Sequence, residues 1–340
     1  MEILLEYGIF LLKVATIVVA IVIPILVILL TSKNKSIEKG QLLVKNLSET
    51  FEKMGNTVKA AQLNSKNRKK FLKGVSKDKK KISKESKQPQ TVYILDFKGD
   101  IQASQVNKLK HEINAILLSK SKCKEVVIKV ESGGGGAYAY GLCAAELKRL
   151  VDNKIKLTVC VDKVAASGGY LMSCVANKII AAPWAIVGSI GVIAQLPNFN
   201  RLLEKNDVDF ELHTAGEFKR TLTMLGKNTE EGRSKFKSEL EDLHKIFKEF
   251  VKQNRPHIDI NSVATGEVWQ GNKAIEMGLV DELGTSDDYL VKLSSRFQLF
   301  EINYQQKKNI GEKLGMAAET LLDKTFYKFH ELINKDKYTS

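Results

Sequence analysis

The sequence predicts an α/β domain from residue 91 onward, preceded by a membrane-spanning helix and a basic connecting segment. Three observations carry this expectation. Short apolar runs alternate with amphipathic stretches at helical spacing, glycine-rich turns follow two of those runs, and one apolar stretch near the N-terminus is too long for a buried strand.

Residues 3–12 are mostly apolar, Lys13 interrupts, and residues 14–30 run for 17 positions without a charge. That length spans a bilayer if Lys13 snorkels to the interface. A cleavable signal peptide would want a basic start, a shorter apolar core and an A-x-A-like exit. The exit here is Leu29-Leu30-Thr31-Ser32-Lys33, which predicts an uncleaved single-pass anchor in residues 1–32, with Pro24 free to kink it.

The formal net charge of +14 is localised. Residues 33–87 hold 17 basic and 5 acidic residues, so the charge belongs to the connecting segment 33–90 and no nucleic-acid partner is expected for the folded domain. Leu43, Leu47, Phe51, Met54 and Val58 make a helical stripe, which pairs subunits as a coiled coil or lies on lipid. The Lys/Ser-rich stretch 66–90 predicts a disordered tether whose charge attracts anionic headgroups. Cys123, Cys143, Cys160 and Cys174 lack metal-ligand spacing and read as small buried hydrophobes.

The folded domain, residues 91–304, opens on a strand at 91–97. Ser104 then caps a helix that puts Val106, Leu109, Ile113, Ile116 and Leu117 on one face. Strands at 125–130, 156–162 and 178–182 alternate with a helix at 137–151 and another after Ser167, the pattern of strands buried on both faces. The apolar run 179–196 contains Pro183, Gly188, Ser189 and Gly191, so it predicts core strands and turns rather than a second span. Asn228 and Glu231 resemble a capping box, opening a helix that carries Phe236, Leu240, Leu243, Phe247 and Phe250 and ends before Pro256. Residues 305–340 read as a polar, partly helical tail.

Candidate chemistry gathers around residues 161–174. Ser167 stands at a strand-to-helix junction, with Ala165 and Ala166 before it and Gly168 and Gly169 after it. It reads as a helix N-cap or as a nucleophile, and the segment alone leaves both open. A serine hydrolase also needs a base and donors for the oxyanion. None of His111, His244, His257 and His330 falls at a strand end beside a glycine turn, and His213, the best placed, is more simply structural. A lysine serves instead when burial or nearby positive charge frees its amine. Lys219, between Phe218 and Arg220 and close to Leu222, is the candidate, although Glu217 favours its charged form and its composition is that of a surface lysine. For the oxyanion, Gly168 offers one backbone N–H and the run Gly133 to Gly136 a second. That run lacks the G-K-[ST] of a phosphate loop.

Residues 93–99 (YILDFKG), Glu131-Ser132 with its glycines, 161–170 (VDKVAASGGY), 185–192 (AIVGSIGV), 197–201 (PNFNR), 213–222 (HTAGEFKRTL), 264–267 (ATGE) and 278–282 (GLVDE) together resemble the signal peptide peptidase A family of serine peptidases, most closely its SohB-type inner-membrane members. The resemblance implies a ClpP/crotonase-like fold and a Ser-Lys dyad of Ser167 as nucleophile and Lys219 as general base, 52 residues apart. It also implies a homo-oligomer in which Lys219 of one subunit serves Ser167 of the next, and apolar peptide substrates such as signal-peptide remnants. No cofactor and no metal are implied. The family's Ser-Pro-Gly-Gly is here Ser132-Gly133-Gly134-Gly135, and Gly134 is named as the second oxyanion donor.

Two rival functions use the same features: a crotonase-fold enzyme acting on coenzyme A thioesters, and a non-catalytic membrane scaffold. The resemblance places the anchor in a bacterial inner membrane. The basic flank after residue 30 puts the catalytic domain on the cytoplasmic side, whereas the signal peptide peptidase A branch puts it outside.

Overall fold

The computed structural model describes residues 8–20, 40–82, 90–119 and 122–306. The chain divides into a unit of residues 42–304 and a unit of residues 1–41 with 305–340. In the latter, residues 8–20 are helical. Residues 1–7 and 21–32 of the expected anchor lie outside the described residues, as does the tail from 307. Among the described residues no helix is long and apolar enough to cross a membrane.

Among the described residues ten strands form: β1 (Gly40–Asn46), β2 (Thr91–Lys98), β3 (Cys123–Glu131), β4 (Lys156–Val161), β5 (Val164–Ala166), β6 (Lys178–Ala181), β7 (Ile186–Gly188), β8 (Val268–Gln270), β9 (Glu282–Leu283) and β10 (Gln298–Gln306). Seven make a large sheet in the order β1-β10-β2-β3-β4-β6-β9, and β5-β7-β8 make a small one. From β10 to β9 every neighbouring pair in the large sheet is parallel. Parallel strands need crossovers, and the helices Val106–Leu118 and Ala137–Asp152 supply them between β2, β3 and β4.

The two-residue period of the strands divides the core. Leu95, Phe97, Val126, Ile128, Leu157 and Val159 face one side, packing with Leu109, Ile113, Tyr140 and Leu147 of the crossover helices. Val92, Ile94, Val127, Cys160, Ile180 and Leu299 face the other, against Leu290 and the half-buried Phe51 and Leu293. Hence the strands read as continuous apolar runs. Arg255, nearly inaccessible, closes the end of the helix Glu230–Asn254 by reaching both carboxylate oxygens of Asp281 (2.6 and 3.0 Å), which also accepts the Ile179 N–H at 2.7 Å.

The join between the two sheets positions the site. At the end of β3, Ser132 donates its N–H to Val164 O (2.9 Å) and accepts the Ala166 N–H (3.0 Å) on its own carbonyl. It thereby bridges in parallel to Ala165 of the small sheet. The glycine run that follows is therefore delivered beside the residue that follows β5.

Several expectations are corrected. Leu43 lies in β1; the helix begins at Leu47, capped by Asn46, which accepts the Glu49 N–H. Residues 66–82, expected to be disordered as part of the tether 66–90, belong to the helix Ser65–Ile82. Lysine is a good helix former, and Phe71 and Val75, half-buried at i and i+4, give the segment a partly covered face. Ser104 is not a cap: its hydroxyl turns back to Asp100 Oδ2 at 2.6 Å, and the helix starts at Val106. The cap of the helix Glu230–Asn254 is Thr229 rather than Asn228, whose side chain instead ties the Thr223 backbone. The run 179–196 contributes to the core only as far as Ile190; Ile193 is 79% exposed and Leu196 41%. Apolar composition does not separate a core segment from a surface meant to be covered.

At Glu112 burial outweighs the partners of its carboxylate. It accepts the Tyr304 N–H (2.8 Å) and faces Lys108 Nζ at 3.8 Å, yet burial pushes its carboxyl up to about 7. The folded state therefore holds this proton where the unfolded chain releases it, so the contribution to stability is present at low pH and is lost as pH rises through about 7. Glu112→Gln stays neutral, and its melting temperature should gain on the parent's between roughly pH 5 and pH 8; a constant difference across that window would contradict the assignment.

Candidate active site

β5 ends in two small buried residues, Ala165 and Ala166, and the chain then turns sharply at Ser167 into the helix Gly168–Ser173. Ser167 holds φ 52° and ψ −120°, a conformation that L-residues avoid and that costs about 1–3 kcal/mol. Its surroundings enforce it. The Ser167 N–H donates to Gly188 O of β7 (2.8 Å), its carbonyl accepts the Leu171 N–H (2.9 Å), and the buried Tyr170 fixes the helix by donating to Leu279 O (3.0 Å). The cap alternative fails on geometry, because the Ser167 side chain makes no capping hydrogen bond. Its hydroxyl, half-buried, has no partner among the described residues.

The glycine run lies against this turn. Gly134 adopts φ +91°, and a Cβ built on it would stand 2.7 Å from both Ser167 Cβ and Gly168 N. Only glycine permits that approach. On the other side, a Cβ on Gly168 would meet Tyr140 Cγ at 2.4 Å. The Gly168 N–H opens the helix and has no acceptor among the described residues. Gly134, expected as the second donor, already donates its N–H to Ser132 Oγ at 3.0 Å. Gly136 donates to Ile101 O at 2.8 Å. The amides flanking these two, those of Gly133, Gly135 and Ala137, have no acceptor among the described residues, and Gly135 is the one that lies between the two bonded amides. Ile101 and Tyr138, 78% and 90% exposed, flank the run with large side chains.

Lys219 is elsewhere in character. Every residue from 204 to 220 is exposed, and among the described residues Lys219 is held by one hydrogen bond, from its backbone N–H to Gly216 O (3.2 Å). Among the described residues no hydrogen bond links Lys219 to Ser167. The surrounding arm exposes Ile193, Phe199, Leu202, Val208, Leu212 and Phe218. The described histidines are all engaged away from Ser167: His213 with Glu211, His244 with Ile190 O, His257 with Gly278 O, and His111 stacked on Tyr304. No cluster of three metal-ligating side chains occurs among the described residues.

Ser132 and Tyr140 are residues of this site that the sequence did not single out individually. Ser132 stood in the quoted glycine motif, but Tyr140 carries no signal beyond the apolar face of its helix.

The family model for peptidase family S49 matches residues 149–299, and that for the peptidase family S49 N-terminal region matches residues 2–147. A Haemophilus influenzae relative named protease SohB is 46% identical over 94% of each chain. One of the same name from Buchnera aphidicola (subsp. Acyrthosiphon pisum) is 52% identical over 70% of this chain and 72% of its own. A signal peptide peptidase SppA from Enterococcus faecium is 32% identical over 59% and 58%.

The two neighbouring glycines separate conformation from composition. Gly134→Ala introduces a Cβ into a space that does not exist, and should reduce hydrolysis by about 100-fold with about 1–3 kcal/mol of destabilisation. Gly133→Ala, where a Cβ meets nothing within 4 Å, should change activity and melting temperature little. Equal effects of the two in a peptidase assay and thermal melts would contradict the close approach.

Proposed function

The chain belongs to peptidase family S49 and is a serine-type protease, and on that premise we propose that Ser167 is its nucleophile and Lys219 its general base. The observation that carries the first assignment is the strained φ 52°, ψ −120° turn, which leaves the Ser167 hydroxyl unbonded beside a free backbone amide. In acylation, Ser167 Oγ attacks the scissile carbonyl carbon while its proton passes to the Lys219 amine. The oxyanion forms in reach of the Gly168 N–H. Collapse breaks the C–N bond, and Lys219 returns the proton to the departing amine. Water, deprotonated by the same amine, then attacks the acyl-enzyme carbonyl; collapse breaks the ester C–O bond, Lys219 returns its proton to Ser167 Oγ, and the acid is released. We give the second oxyanion donor to Gly135 rather than Gly134, because the Gly134 N–H is already held by Ser132.

The base is supplied by a neighbouring subunit of a homo-oligomer. Lys219 sits on an arm that is exposed throughout and rich in large apolar side chains, which supports its being covered by another copy. Such cover would also take the lysine out of water, the condition under which its amine becomes available. Apolar peptides, signal-peptide remnants among them, suit a site flanked by Ile101 and Tyr138, and the relatedness to a signal peptide peptidase supports that class. The large parallel sheet with its small second sheet fits a ClpP/crotonase-like domain over residues 91–304. Residues 1–32 anchor it in a bacterial inner membrane, as the uncharged run 14–30 suggests, and the basic segment 33–90 faces the lipid headgroups.

A fluorophosphonate probe should label the assembled protein and fail to label Ser167→Ala; unchanged peptidase activity in Ser167→Ala would overturn the assignment. Ser167→Ala and Lys219→Ala should each lose about a thousandfold or more in activity. Subunits of the two variants, unfolded and reassembled together in equal amounts, should recover about a quarter of parental activity, because one neighbouring pair in four then joins an intact serine to an intact lysine. No recovery would place both residues in one subunit.

A further inference from the structure

The run of four glycines has no side chains with which to hold itself, and glycine enlarges the set of conformations such a turn explores. Yet an oxyanion site requires its donors to be fixed before charge develops. Resting on the assignment of Ser167 as nucleophile, we propose that Tyr140 is the positioning residue for both oxyanion amides: its ring backs Gly168, and its hydroxyl, acting through Ser132, holds the glycine run.

The ring contact is direct, since a Cβ on Gly168 would fall 2.4 to 2.9 Å from Tyr140 Cγ, Cδ2 and Cβ. The hydroxyl contact runs through a chain whose direction is fixed. Tyr140 has one phenolic proton, and it goes to Asp100 O at 2.8 Å, a carbonyl that can only accept. The 2.6 Å contact between Tyr140 Oη and Ser132 Oγ must therefore use the Ser132 proton. Ser132 Oγ then accepts the Gly134 N–H at 3.0 Å. Each donor in the sequence Gly134, Ser132, Tyr140 has one acceptor, ending on the Asp100 carbonyl, and such chains strengthen their members.

Both side chains are enclosed, Tyr140 at 0% and Ser132 at 2% exposure, so water does not offer substitutes for these bonds. Gly99 is the fourth wall: a Cβ there would stand 2.2 Å from Tyr140 Oη and 2.4 Å from Ser132 Oγ. With Gly134 tied to Ser132 and Gly136 tied to Ile101 O, the amide of Gly135 is held from both sides. Tyr140 touches neither substrate nor reacting atoms in this scheme. It sets where the amides point.

Tyr140→Phe keeps the ring against Gly168 and removes only the hydroxyl. It should lower kcat on the order of tenfold with KM unchanged, a partial loss compared with deleting a donor outright. Ser132→Ala should do the same, and the double variant should lose no more than the larger single, because the two act as one chain. Hydrogen exchange in a proteolytic fragment covering Gly133 to Gly136 should quicken in both more than in fragments from the rest of the domain, while the melting temperature falls by a few degrees because buried partners are left unsatisfied. Unchanged kcat, a loss carried by KM, or additive losses in the double variant would overturn the proposal. Fluorophosphonate labelling of the parent at Ser167 is the control: absence of labelling there would defeat the nucleophile assignment itself, whereas a labelled parent with unaltered Tyr140→Phe kinetics would defeat only the role of Tyr140.

Discussion

The site depends on a two-bond exchange at the end of β3. Ser132 gives its N–H to Val164 O and takes the Ala166 N–H on its carbonyl, which moves the chain from the large sheet to the small one. Without that switch the glycine run would continue over the large sheet, far from the turn after β5. With it, Gly134 is pressed against Ser167 and Gly168. The small residues follow from the same constraint: Ala165 and Ala166 fit between two backbones in contact, and the glycines allow a third to approach.

The rigidity of this corner supports a costly backbone. A serine at φ 52°, ψ −120° persists only where neighbours over-determine it. Here the neighbours are Gly188 of β7, Leu171 one turn along the helix, and Tyr170 anchored to Leu279 O. The same packing denies Ser167 its ordinary use as a cap. A hydroxyl freed of local partners is the chemical consequence.

The arm bearing Lys219 contrasts with the corner in every physical respect. One is buried, hydrogen-bonded and strained; the other is exposed from 204 to 220 and carries apolar side chains facing water. A domain of this size has ample core elsewhere, so the exposure is no failure of folding. Among the described residues no hydrogen bond joins the proposed base to the proposed nucleophile, in keeping with the proposal that another copy covers this arm.

Much was legible in the sequence because it rests on local periodicity. β2, β3, β4 and β6 of the parallel sheet declared themselves as apolar runs, whereas the short β9 and the polar-interrupted β10 did not, and the helix over residues 137–151 was expected within one residue of Ala137–Asp152. Where local signals compete, type alone does not decide: Ser104 and Asn228 are good caps by type, but Ser104 donates to the Asp100 carboxylate and Asn228 ties the Thr223 backbone, and the lysine-rich stretch 65–82 is helical. The strand-to-helix turn at Ser167 and Gly168 was legible from a glycine-flanked strand end. The engagement of Gly134 by Ser132, and the place of Tyr140 behind Gly168, were not, because each depends on residues brought together from separate strands and helices. Sequence determined which residue types stand at the turn. Tertiary structure alone decided which hydroxyl is left free and which amides are spoken for, since a hydrogen bond between distant segments leaves no trace in spacing or composition.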